Sequence, residues 1–126
     1  MMTNEDRNWK RVWHNVQISA RYGAGGGRVW SVTQKGGHEL DITIDDIKDL
    51  WVKQNGRCHW LGIEMSLEDV NIKNSPFAPS VERVDSSVGY VKDNIVLASR
   101  FANRGRGAYD NDDFKQRLDQ LLLNRI

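Results

Sequence analysis

A single cysteine, Cys58, has no partner for an internal disulfide and excludes a cysteine-rich zinc knuckle, a usage that fits a reducing cytoplasm. An excess of one charge is missing as well. The 18 Lys and Arg face 17 Asp and Glu, so the net charge of +1 neither demands nor excludes a polyanionic partner, and only the distribution of charge can decide. No segment approaches the roughly 18 consecutive apolar residues of a membrane span. The N-terminal "MMTNEDRNWKRVW" also lacks a long apolar run, so the expectation is a soluble, unsecreted protein with no membrane partner. The "YGAGGGR" stretch lacks the Lys-Ser/Thr pair and flanking strand of a phosphate-cradling P-loop, and its glycines predict a flexible loop over residues 23–37.

What is present suits one compact domain over residues 1–126, since 39% hydrophobic residues and five tryptophans suffice for a modest core. Trp9, Val12, Trp13 and Val16 recur at i, i+3, i+4 and i+7, which predicts an amphipathic helix over about 4–21 with two core tryptophans. "HELDITIDDIKDLWVKQNGRC" predicts a short strand and then a helix, with Thr43 as N-cap, Asp45 and Asp46 at its positive end, and Gly56 at its close. "RCHWLGIEM" suggests a second hairpin-like segment. From Ser80 follow a strand "SVERV", a turn-rich loop "DSSVGYVKD", a strand "NIVLA" and a short helix from about Ser99. "DNDDFKQRLDQLLLNRI" predicts a terminal helix with Phe114, Leu118, Leu121 and Leu122 on one face. Basic residues gather in two places, Arg7, Lys10, Arg11, Arg21 and Arg28 near the N-terminus and Arg100, Arg104 and Arg106 near the C-terminus.

Strand, loop, strand and helix, with polar residues at three set places, resemble the HNH endonuclease family of the ββα-metal superfamily. The likeness is to its phage and bacterial branch, with an arginine in place of the first histidine. The motifs "KQNGRC", "WLGIEM", "PSVERVD", "VGY", "KDN" and "ANRGRG" carry it, in that order, over roughly residues 41–114. Leu61 stands where the family usually has Thr before Gly62, and Arg106 where it usually has Lys. The resemblance implies an α+β fold: a ββα-metal core over 41–109, an N-terminal helix and glycine-rich loop over 1–40, and a C-terminal helix over 110–126. It implies a metal-dependent DNA endonuclease of low sequence specificity in a bacterial or phage-infected cytoplasm. Glu82 and Asn103 would hold Mg²⁺ or Mn²⁺, hard ligands for a hard ion, and Asn94 would keep the loop in shape.

Arg83 occupies the position of the name-giving histidine. Its guanidinium stays protonated at any working pH and cannot abstract a proton, but it can hold a phosphate oxygen bidentately. Asp85, two residues on and so on the same face of a continued strand, is the candidate to assist the attacking water. By the same period Glu82 faces away, unless a bulge or bend intervenes. His38 is a second candidate base, from another element. Asn103 is either a metal ligand or a C-terminal cap before Gly105. Lys10, Arg11, Arg21, Arg28, Arg100, Arg104 and Arg106 are either solvated charges or phosphate contacts to DNA. The alternative function is a module of the same fold that binds nucleic acid or a protein partner without cutting.

Overall fold

A computed structural model of the protein describes residues 2–22, 38–106 and 111–125. Arg28, Gly107 and the 23–37 loop of the sequence reading lie outside the described residues. The fold is α+β. Helix α1 spans Asn4–Tyr22, strand β1 Leu40–Asp41 and helix α2 Ile44–Lys53. Strand β2 runs over Pro79–Arg83, β3 over Tyr90–Val91 and β4 over Ile95–Ser99, with helix α3 over Arg100–Arg106 and α4 over Asn111–Leu123. Short 3₁₀ turns fall at Leu67–Asn71 and Lys92–Asn94. No helix among the described residues is long and apolar enough to cross a membrane.

The predicted stripe of α1 buries Trp9, Val12 and Val16, joined one turn later by Ala20, while Trp13 is only partly covered. This face lies against β2, α2 and the 67–71 turn. Helix α2 begins on a complete capping box: Thr43 Oγ1 accepts from the Asp46 N–H, and Asp46 returns a carboxylate oxygen to the Thr43 N–H. It ends where Asn55 and Gly56 take positive φ, with the Gly56 N–H closing back on the Trp51 carbonyl at 2.9 Å. Trp51 then meets Trp9 edge-on at 5.5 Å, which ties the two helices together.

Strands β2 and β4 form an antiparallel hairpin, Pro79 opposite Ser99 through Arg83 opposite Ile95, and α3 follows directly and lies against both strands. The other edge of β4 is covered by the "QNGRC" segment. Gln54 accepts from the Leu97 N–H at 2.9 Å and donates to its carbonyl at 2.8 Å, so one side-chain amide serves as a stand-in strand residue. Cys58 Sγ accepts from the Ser99 N–H and the His59 N–H reaches the Leu97 carbonyl. The predicted hairpin-like segment 57–65 closes with a single bridge, Arg57 to Glu64.

Two features depart from the sequence reading. The turn-rich loop contains β3, which pairs in parallel with β1, Leu40 beside Tyr90. Gly89 permits that approach, since a Cβ there would lie 2.8 Å from the Glu39 carbonyl oxygen. In α4, Phe114 is buried and Leu118 half-buried, but Leu121 and Leu122 are 69% and 61% exposed. The helical period places them correctly on a stripe; the last turn simply runs past the body that the stripe would cover.

Candidate functional site

The hairpin and α3 enclose a cleft of about 390 Å³ lined by Val81, Glu82, Arg83, Ser86, Tyr90, Asn103, Arg104 and Arg106, with Ser19 of α1 at its side. Glu82, Arg83 and Asn103, far apart in sequence, therefore meet in one concavity. Among the described residues Glu82 is its only carboxylate, against the three arginines Arg83, Arg104 and Arg106.

Glu82 is 7% exposed and fully engaged. Trp60 Nε1 donates to Oε2 at 2.6 Å, and Arg106 Nη1 donates to Oε1 at 2.7 Å. Arg106, 6% exposed, also donates to the carbonyls of Arg83 and Val84 at 2.8 Å each and lies 5.1 Å from the Trp60 ring centre. Grouped by sequence with the surface phosphate contacts, Arg106 is instead a buried strut that fastens α3 to the end of β2. Trp60, which sequence reasoning did not single out, holds the second carboxylate oxygen and meets Phe114 of α4 edge-on.

Arg83 leaves the strand in another direction. Its Nη1 donates to the Ser86 carbonyl at 2.6 Å and lies 3.1 Å from His38 Nδ1, and the guanidinium sits 5.2 Å from the Tyr90 ring centre. A guanidinium can only donate, so Nδ1 accepts and the proton of neutral His38 resides on Nε2. Partial burial and then the Arg83 cation depress the basicity of His38 below the usual 6.5. Burial raises the Tyr90 phenol, opposed by Arg83.

Asp85 does not share a strand face with Arg83, because β2 ends at Arg83. It stands in the exposed loop, where its Oδ1 accepts from the Ser87 hydroxyl at 2.6 Å and the Ser87 N–H at 2.9 Å. Those bonds, with Arg83 as a smaller influence, hold the carboxyl below its ordinary range. Asn94 clasps this loop from within: Oδ1 accepts from the Asp85 N–H, and Nδ2 donates to the carbonyls of Asp85, Val88 and Gly89. Asn103 donates Nδ2 to Ser80 Oγ at 3.1 Å. That bond pins α3 to β2 and leaves the amide oxygen as an acceptor.

In comparisons with protein-family models, with curated proteins and with solved structures, nothing matches. The site's meaning therefore rests on its own chemistry.

Of the remaining cations, Arg104 lines the cleft from α3. Arg100 donates to the Ile72 and Val70 carbonyls at 2.9 and 3.3 Å, outside the Glu82 cleft. Lys10, Arg11 and Arg21 are exposed on α1, where Arg11 faces Arg100 across a separate concavity and Lys10 and Arg21 line neither. The sequence signal for Arg104 was its place in "ANRGRG"; Trp60, Ser80 and Tyr90 likewise stand in "WLGIEM", "PSVERVD" and "VGY", but only tertiary packing gives them a part in the site.

Proposed function

We propose that the chain is a metal-dependent DNA endonuclease that nicks or cuts with little sequence readout, built on a ββα-metal type of core. The observation that carries this reading is the meeting of Glu82 and Arg83 of β2 with Asn103 of α3 in one cleft rich in arginine. The donor chemistry suits a hard divalent ion, a carboxylate and an amide oxygen with waters and substrate phosphate completing the shell. When bound, such an ion would supply charge neutralisation at the scissile phosphate. Glu82 and Asn103 would hold it, and Arg106, already 2.7 Å from Glu82 Oε1, would have to yield part of that oxygen.

The chain's own groups supply the rest. Arg83 and Arg104 offer planar N–H arrays to non-bridging phosphate oxygens and offset charge that builds up as the bond breaks. Asp85, kept ionised by Ser87, stands in the loop outside the described lining of the cleft and would assist a water there, although the bonds that keep it ionised also weaken it as a base. Asn94 fixes the loop on which Asp85 and Ser86 stand. Arginine contacts to phosphate bear no sequence information, in keeping with low specificity.

A second reading has an observation of its own. Both oxygens of Glu82 are already satisfied and its charge is balanced by Arg106, which favours a module that binds nucleic acid without cutting. A supercoiled-plasmid assay with Mg²⁺, Mn²⁺ or EDTA separates the two. Nicking that needs the metal, and that Glu82→Gln and Asn103→Ala each abolish, supports the enzyme; DNA binding without nicking under any metal leaves only the second reading. Arg83→His is informative beside them, because increased nicking would show that the site is short of a base.

A further inference from the structure

A second concavity, of about 470 Å³, runs between α1, the 70–74 segment and the start of α3. Among the described residues four cations line it, Arg11, Lys73, Arg100 and Arg104, with the amides of Asn15, Asn71 and Asn74 and no carboxylate. Arg100 is held in place by the Ile72 and Val70 carbonyls, and Arg104 by Asn74 Oδ1 at 3.3 Å. Burial and then the like charge of Arg104 lower the basicity of Arg100, opposed by Asp69. Asp69 itself accepts from Ser66 and Ser75. Arg11 and Lys73 are exposed and make no ion pair or hydrogen bond among the described residues.

Crowded cations without acids repel one another and concentrate anions, while fixed guanidinium groups lose little freedom when they bind. Arg104 lines both this furrow and the Glu82 cleft, so the two adjoin at its side chain. At its other end Arg11 and Asn71 continue into a groove that also holds Arg7 and Glu68. An open, extended track of this kind suits repeated phosphates better than one enclosed anion. We infer that the furrow is a seat for a phosphodiester backbone, and that the ligand is a polynucleotide running from Arg11 and Lys73 past Arg104 into the Glu82 cleft. Lys73 is thereby a backbone contact that no sequence motif marks. The inference rests on nucleic acid being the ligand of the cleft, but not on its being cut.

The test is anisotropy of a labelled duplex of several helical turns, in EDTA, across a salt series. The proteins are the parent chain, an Arg11→Gln/Lys73→Gln double variant and a charge-keeping Arg11→Lys/Lys73→Arg variant, each checked for unchanged melting. The double variant should bind more weakly, with its log-log salt slope shallower by about two, and the charge-keeping variant should bind like the parent. Equal affinity and slope in the double variant and the parent would overturn the furrow. So would displacement of the duplex by a mononucleotide at matched ionic strength, which would mark a site for free phosphate compounds. Furrow-dependent binding with no nicking under any metal would uphold the furrow while removing the endonuclease, and a parent chain that binds no duplex would remove both.

Discussion

Glu82 and Arg106 show how a residue's neighbours decide what its chemistry means. Each is almost fully buried, and their pairing at 2.7 Å is completed by Trp60 on one side and two backbone carbonyls on the other. Removing one member of a buried pair leaves an uncompensated charge, at a typical cost of about 3–5 kcal/mol, whereas replacing both by apolar groups is far less damaging. Arg106→Leu should therefore lower the unfolding free energy by about that amount in urea titration, and Glu82→Leu/Arg106→Leu should recover much of it; a single variant as stable as the parent would refute the pairing. His38 offers a pH-dependent counterpart. Its basicity is depressed by burial and Arg83, so below pH 6.5 the unfolded chain binds a proton that the folded chain resists. Stability contributed here is present above that value and falls as the pH drops through the folded value. NMR titration should place His38 below 6.5 and Arg83→Gln should move it upward; an unmoved midpoint would show that Arg83 does not touch it. The resemblance singled out Glu82, Arg83 and Asn103, and His38 was a candidate base, but the contacts of Trp60 with Glu82 and of His38 with Arg83 were not legible, because contacts across 22 and 45 residues leave no local pattern.

Helices and strands were the more legible scale. The stripe of α1, the capping box of α2 and the two hairpin strands all follow from periods and cap residues, which act locally. The parallel β1–β3 pair does not, since two-residue strands carry no period and their pairing depends on Gly89 admitting Glu39. Gln54 is the residue on which the free edge of β4 depends most, because its amide is the partner of the Leu97 N–H and shares the Leu97 carbonyl with the His59 N–H. Gln54→Ala should cost about 2 kcal/mol, the price of two bonds and a bared strand edge. Gln54→Glu should be no better, because a carboxylate cannot donate to the Leu97 carbonyl; denaturant midpoints check both. For α4, the burial gradient makes a sharp contrast. Phe114→Ala should destabilise by about 3–4 kcal/mol, while Leu122→Gln should stay within about 0.5 kcal/mol, and comparable losses would mean that the last turn of α4 is covered after all.

Over the molecule as a whole, the near-neutral total hides a polarised arrangement. Arginines and lysine gather on the α1–α3 side, and Asp45 and Asp46 stand at the start of α2. Cys58, 2% exposed, lies where the 57–64 turn meets the end of β4, so it reports on the integrity of the whole core. A thiol reagent should label it only at the rate of global opening, accelerating with urea in step with loss of tryptophan signal; rapid labelling of the native protein would show that this corner opens by itself. The sequence alone determined the helices, the hairpin strands and the N-cap of α2, because propensity, period and capping act over a few residues, while the short list of polar residues at the hairpin and α3 came from the resemblance of its motifs. Tertiary structure decided which of those residues meet, that Arg106 is spent on Glu82 while Arg104 faces the cleft, that Asp85 leaves the strand, and that Lys73 joins Arg11 and Arg100 in one furrow. Charge pairing and burial depend on distances across the fold, and only the packed chain sets those.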